Sequence, residues 1–194
     1  MNRIEVGSVI LAAGNSNRMG FPKALLPFGH GTFLSTVLDR HREAGLDPLV
    51  VLGNDRSRIQ RQLAVHTFRP LHNPSPEQGP LSSLKIALPH LRHGSGFILH
   101  PVDHPTVSAE TILRLASEHR ANRDCIIIPR YLGRKGHPVL FPYRFYADLE
   151  AAPILEGARF VVRRNRTSVL HVDVGDPGIL TNIDTPERYV ELFG

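Results

Sequence analysis

At 194 residues, 41% hydrophobic and 21% charged, the chain suits one domain with a layered core and excludes a disordered or low-complexity polymer. A formal net charge of +5 favours an anionic ligand, yet the basic residues are scattered and aromatics reach only 7%, which argues against a nucleic-acid stacking platform. No apolar run is long enough to span a bilayer and residues 1–5 lead straight into a strand without a signal-peptide core, so a cytoplasmic protein with no membrane attachment is expected.

Apolar runs alternate with helical patterns, which predicts an α/β fold in three layers: a mainly parallel twisted sheet, helices on both faces, and a small hairpin. The first strand covers Val6–Ala12. Thr32 caps a helix whose apolar residues Phe33, Val37 and Leu38 recur at helical spacing, and Gly45 stops it. Residues 48–53 form a second strand, 55–64 a basic amphipathic helix and 65–71 a third strand. A helix opens at Gly79, and a buried strand over 97–99 runs directly into Pro101-Val102-Asp103-His104-Pro105. Ser108 caps the next helix, to about residue 121, with Ile112, Leu113 and Leu115 facing the core. Residues 125–129 form another strand; Cys125 is a buried structural residue there and, as the single cysteine, makes no intrachain disulfide. Residues 131–141 read as a hairpin turning at Gly133-Arg134-Lys135-Gly136. Short helices over 142–149 and 156–164, strands over 169–174 and 179–183, and a last helix from Pro186 complete the reading. No repeat or linker divides the chain, so residues 1–194 are expected to form one domain.

The loop after the first strand carries the clearest chemistry. It holds Gly14, Arg18, Gly20 and Lys23, and backbone amides freed by glycine beside two fixed cations suit a triphosphate at the carboxyl end of a strand. It is not a Walker A loop, because Ala24 follows Lys23, and Gly14-Asn15-Ser16-Asn17 breaks the dinucleotide fingerprint. Taken alone, the loop reads equally well as a surface connection with ordinary glycines. Asp103 and Asp184 both end strand-like segments, and two carboxylates with phosphate oxygens and water suit Mg2+. Asp184 alternatively caps the helix begun by Pro186, and Asn182 is a further candidate ligand. The eleven histidines read mostly as surface or helix-end residues.

The run from Leu11 through Lys23 resembles the signature Leu-Ala-Ala-Gly-x-Ser-x-Arg-Met-Gly-x-Pro-Lys of nucleotidyltransferases with the MobA-like fold. Likeness continues at Asn73-Pro74 with Gly79 and Ser82-Ser83-Leu84, and at Asp103-x-Pro105. It resumes at Gly136-x-Pro138-Val139-Leu140-Phe141 and ends at Asp184-Thr185-Pro186-Glu187, in the family's order over nearly the whole chain. The chain looks most like the molybdenum cofactor cytidylyltransferase branch. That resemblance implies a Rossmann-like nucleotidyltransferase fold and Mg2+-dependent transfer of CMP from CTP to the phosphate of molybdenum-molybdopterin, releasing pyrophosphate. A molybdoenzyme is the implied protein partner.

The resemblance also implies site residues. Leu11, Ala12, Ala13, Gly14, Ser16, Arg18, Met19, Gly20 and Lys23 would hold the nucleotide, together with Asn73, Gly79, Ser82 and Ser83. Lys23 is assigned to the α-phosphate, Arg18 to the departing pyrophosphate, and Asp103 with Asp184 to the metal. His104, Arg134, Lys135, Gly136 and His137 would face the acceptor. Ala13 stands where guanylyl-transferring relatives have glycine, and its methyl favours a pyrimidine by about 1–3 kcal/mol. Pro76 and Gly79-Pro80-Leu81 lean instead toward the guanylyl pattern. The competing readings are a GTP-using guanylyltransferase, a nucleotidyltransferase acting on a sugar or polyol phosphate, and a non-catalytic molybdenum cofactor carrier. Retention of Arg18, Lys23 and Asp103 together argues against the carrier.

Overall fold

The structure, a computed structural model, describes residues 6–14, 19–92 and 95–194. Strand β1 (Val6–Ala12) is followed by a two-strand ribbon, β2 (Pro27–Phe28) and β3 (Gly31–Thr32), and by helix α1 (Phe33–Glu43). Then come β4 (Leu49–Leu52), α2 (Arg56–Gln62), β5 (Arg69–His72), α3 (Pro80–Ala87), β6 (Gly96–Pro101) and α4 (Ala109–Ala121). The second half holds β7 (Ile126–Tyr131), β8 (Arg134–Lys135), β9 (Val139–Phe141), α5 (Tyr146–Ala151), α6 (Arg159–Arg164), β10 (Val169–Asp173) and α7 (Pro186–Phe193).

The main sheet runs β10-β7-β9-β6-β1-β4-β5, with β8 attached to β7. Pairs β1–β4, β1–β6, β4–β5 and β7–β10 are parallel, and β9 lies antiparallel between β6 and β7. The mainly parallel α/β sheet expected from the alternating pattern is what the chain forms. Its side-chain period of two sends successive residues to opposite layers. Val9, Leu49, Val51, Phe97 and Ile126 pack against α3, α5 and α6. Their neighbours Ile10, Val50 and Leu52 pack against α1 and α2, while Ile98 and Ile127 meet α4. Thr32 caps α1 as expected, its hydroxyl accepting from Ser35 N at 3.2 Å, and Ser108 caps α4 by accepting from Thr111 N at 3.2 Å.

Five expectations are corrected. The strand expected over 65–71 is confined to Arg69–His72, because β4, its one partner among the described residues, is four residues long; Val65 is 89% exposed. Residues 177–180 form a 3-10 turn instead of the strand expected over 179–183. Asp176 Oδ1 accepts from Gly178 N at 2.8 Å and starts that turn, so Ile179 and Ile183 are buried without joining a ladder. The hairpin turns at Leu132-Gly133, one step earlier than expected, and Arg134-Lys135 is already the returning strand. Leu113 is 44% exposed: Ile112, Leu115, Ala116 and His119 set the buried face of α4, and residue 113 falls off it. Cys125 is half-buried against the cluster around α4.

Candidate active site

A cavity of about 480 Å³ opens where β1, β4 and β6 end, lined from Leu11–Gly14, Gly53, Asp55 and Pro101–His104. In an open α/β sheet this is where ligands collect, because loops diverge there and strand-end amides point outward. Backbone proximity shapes the floor. A Cβ on Gly53 would lie 2.3 Å from the carbonyl oxygen of Ala13, so only glycine permits the close approach of the β1 and β4 ends. Ala13 itself lines the cavity while packing into the core cluster. Ser16 and Arg18 lie outside the described residues. Met19 packs against the α1-side cluster, and Gly20 takes φ of 63°, a left-handed conformation that glycine adopts freely.

Lys23 begins a 3-10 turn whose next two residues, Ala24 and Leu25, are buried in the α1-side cluster. That anchor delivers its side chain to two carboxylates. The ammonium forms an ion pair with Asp184 and stands 3.5 Å from Asp103 Oδ2. Asp103 follows β6 in a turn where His104 N donates to Pro101 O at 3.2 Å, and Ile183 N donates to the Asp103 carbonyl at 3.0 Å. The same backbone bond therefore ties the Asp103 turn to the segment carrying Asp184. Asn182 Nδ2 donates to Asp184 Oδ2 at 2.9 Å. The cap of α7 is Thr185, whose hydroxyl accepts from Arg188 N at 3.3 Å, which leaves the Asp184 carboxylate facing Lys23.

The two acids differ electrostatically. Burial raises the Asp103 carboxyl above its ordinary value, opposed by the charge of Lys23 and reinforced by Asp184. Burial pushes Asp184 up too, but the hydrogen bond and charge of Lys23 outweigh it and hold that carboxyl below the usual range. Asp103 Oδ1 is buried without a hydrogen-bond partner among the described residues. An anionic oxygen left that way is costly unless a cation or donor meets it. Among the described residues no group of three or more His, Cys, Asp or Glu is arranged to hold a metal ion. Asp103 and Asp184 meet at the Lys23 ammonium, and a pair of carboxylates suits a hard divalent cation that takes its remaining ligands from phosphate and water.

His104 and His137 also line the cavity. Their rings lie 4.9 Å apart, and each Nδ1 is buried without a partner among the described residues. Burial lowers both to about 4, so they are neutral at pH 7. Arg134 and Lys135 are exposed on β8, outside the cavity lining. Arg130 is engaged by Asp173 at 2.6 and 2.7 Å. Gly136 serves packing: a Cβ there would meet Ile179 O at 2.2 Å.

The opposite wall is a hydrogen-bonded network centred on Asn73. Asn73 Nδ2 donates to Ser82 Oγ and to Ser83 Oγ, each at 2.9 Å, and its Oδ1 accepts from Ser75 N at 2.9 Å. Ser82 Oγ donates to Gly79 O at 2.7 Å. Asn73 and Ser82 sit behind the lining, and Pro76, Gly79, Pro80 and Ser83 form the surface. Sequence reasoning missed Gly53 and Asp55, for which a glycine closing the β4 run was the available signal. It also read the histidines as mostly superficial, whereas His41, His100, His104 and His119 are buried.

A family model described as "MobA-like NTP transferase domain" matches residues 8–169. The chain is 28% identical to the molybdenum cofactor cytidylyltransferase of Escherichia coli (strain K12), over 96% of this chain and 98% of that one. It is 32% identical to a probable molybdenum cofactor guanylyltransferase of Rhodopirellula baltica, over 92% and 87% of the two chains. Among solved structures it resembles Rv0371C of Mycobacterium tuberculosis H37Rv in complex with manganese, with TM-score 0.77, 27% identity and coverage of 96% and 97%.

Proposed function

The chain belongs to the MobA-like NTP transferase family, and we propose that within this family of nucleotidyltransferases it transfers CMP from CTP to the phosphate of molybdenum-molybdopterin. The observation that carries this reading is the meeting of Lys23, Asp103 and Asp184 at the strand-end cavity. In the reaction an oxygen of the acceptor phosphate forms a bond to the α-phosphorus of the nucleotide. The bond from that phosphorus to the bridging oxygen breaks, and pyrophosphate leaves with the electron pair. The acceptor phosphate is already anionic at neutral pH, so the site needs no general base.

Catalysis of this kind is alignment plus electrostatic stabilisation. The backbone from Ala13 to Gly20 receives the triphosphate, and Lys23 meets the α-phosphate and the charge that develops there. Arg18 is assigned to the leaving pyrophosphate. Asp103 and Asp184 would hold Mg2+, which supplies charge neutralisation between the reacting phosphates when bound. The orphaned Asp103 Oδ1 and the manganese in the similar Rv0371C structure support a divalent cation here. His104 and His137, neutral and each with an Nδ1 that has no partner among the described residues, are assigned to the acceptor.

Cytidylyl transfer is favoured by the full-length similarity to the E. coli cytidylyltransferase and by the methyl of Ala13. The second reading is guanylyl transfer, favoured by the R. baltica relative and by Gly79-Pro80-Leu81. The test is incubation of the protein with Mg2+, molybdenum-loaded molybdopterin and each of CTP, GTP, ATP and UTP, following pyrophosphate. Release with CTP alone is the expected result. Release with GTP alone replaces the base assignment, and silence with all four refutes the acceptor.

A further inference from the structure

Behind the Asp103 turn lies a hydrogen-bond chain that the reaction does not touch. Ser8 on β1, His41 on α1 and His100 on β6 are all buried, the two histidines at 0% exposure. Ser8 Oγ is 2.7 Å from His41 Nδ1, His41 Nε2 is 2.9 Å from His100 Nδ1, and His100 Nε2 is 3.0 Å from the carbonyl oxygen of His104. The far end fixes every proton. A carbonyl oxygen only accepts, so His100 carries its hydrogen on Nε2. Burial drives His41 to about 3 and holds His100 well below the ordinary histidine value, so each ring carries one hydrogen at neutral pH. His100 Nδ1 is therefore bare and accepts from His41 Nε2. His41 Nδ1 is bare in turn and accepts from the Ser8 hydroxyl.

Two imidazoles buried this deeply cost folding free energy that an apolar pair of similar volume avoids, and the chain ends on the turn that bears Asp103. We propose that His100 is a positioning residue for nucleotidyl transfer: with its tautomer set by His41 and Ser8, it grips the His104 carbonyl and holds Asp103 opposite Lys23 and Asp184. The inference rests on the transferase reading of that site. It assigns His100 no contact with substrate.

The test compares His100→Leu with His100→Gln in the full chain, alongside nitrogen-resolved NMR of the wild-type imidazoles. Glutamine places an amide N–H where Nε2 donates; leucine fills the volume and leaves the carbonyl without its donor. The expected spectrum shows His41 and His100 neutral and protonated on Nε2. His100→Leu is expected to lower kcat for pyrophosphate release about 10- to 100-fold with KM for the nucleotide little changed, and to shift the amide of Ile183, which donates to Asp103. His100→Gln is expected to restore most of the rate and the Ile183 shift. A wild-type His100 protonated on Nδ1 overturns the proposal whatever the variants do. So does an unmoved Ile183 amide in His100→Leu, or equal loss of rate in both variants in proportion to their stability. A wild type silent with every nucleotide refutes the acceptor assigned in that reading, while the imidazole spectrum and the Ile183 amide test the positioning independently of it.

Discussion

The two walls of the cavity use polar residues in opposite ways. On the wall of Asn73, Ser82 and Ser83, the Asn73 amide bonds both hydroxyls and the backbone of Ser75, all at 2.9 Å. On the wall of Lys23, Asp103 and Asp184, one ammonium serves two acids and Asp103 Oδ1 has no hydrogen-bond partner among the described residues. In the first arrangement each of these side-chain polar atoms has a partner among the described residues, and in the second Asp103 Oδ1 has none. Satisfied groups hold a shape, whereas groups with unmet bonding capacity are where a ligand gains most. Polar residues that sit together in one site thus divide into scaffold and chemistry by what remains unbonded.

The sharpest break in that contrast comes from Lys23→Met. Removing the ammonium leaves two carboxylates facing each other and takes away the cation assigned to the α-phosphate, so kcat is expected to fall about 10²–10³-fold in a pyrophosphate assay. The ion pairs lost are partly exposed, so the melting temperature is expected to change far less than the rate.

Acid tests the scaffold behind the chemistry wall. His41 is held near 3, and His104 and His137 near 4, in the fold, while each binds a proton near 6.5 once unfolded. The unfolded chain therefore takes up more protons as pH falls below 6.5, and stability declines from there until about 4 for His104 and His137 and about 3 for His41. Each pH unit in that window removes about 1.4 kcal/mol for every histidine that stays neutral in the fold. Asp103, whose carboxyl is raised, works in the opposite direction as pH falls through its raised value toward that of an ordinary carboxyl. Urea titrations at stepped pH should show a plateau above 6.5 and a fall beneath it; a flat profile to pH 5 would contradict the buried neutral assignments.

Asn73→Ala probes the other wall. It strips the Ser75 amide and two hydroxyls of a partner and is expected to cost about 1–3 kcal/mol of stability, with KM for the nucleotide rising while kcat is largely kept. A loss confined to kcat would move Asn73 to the chemistry side. The smallest effect is expected from Arg134→Ala with Lys135→Ala. Both residues are exposed and outside the lining, so stability should stay within about 0.5 kcal/mol and KM for the acceptor should hardly move. A large rise in that KM would return the hairpin to the acceptor site.

How legible each part was follows from the range of the interactions involved. The strands β1, β4, β6 and β7 and the caps Thr32 and Ser108 are written in local patterns, apolar runs and hydroxyls before helices, and they appear where expected. The Ile179 to Ile183 segment misled because apolar residues record burial and do not say whether a ladder or a 3-10 turn provides it. β5 was overextended because its length is set by β4, its partner, and not by its own residues. Within the site, Lys23, Asp103 and Asp184 stand out in sequence, yet their meeting depends on the Ile183–Asp103 backbone bond across the fold. The histidine chain was hidden for the same reason. His41 and His100 are 59 residues apart, and neither carries a local sign of burial, although His100 and His104, four apart around the Asp103 turn, marked where to look.

The most direct test of this account is pyrophosphate release by the wild type and by Asp103→Asn, with CTP, Mg2+ and molybdenum-loaded molybdopterin, each protein checked for its melting temperature. The account predicts release by the wild type and a rate lower by about 10²–10³-fold in Asp103→Asn, with folding retained. A folded Asp103→Asn protein that works at the wild-type rate would contradict it.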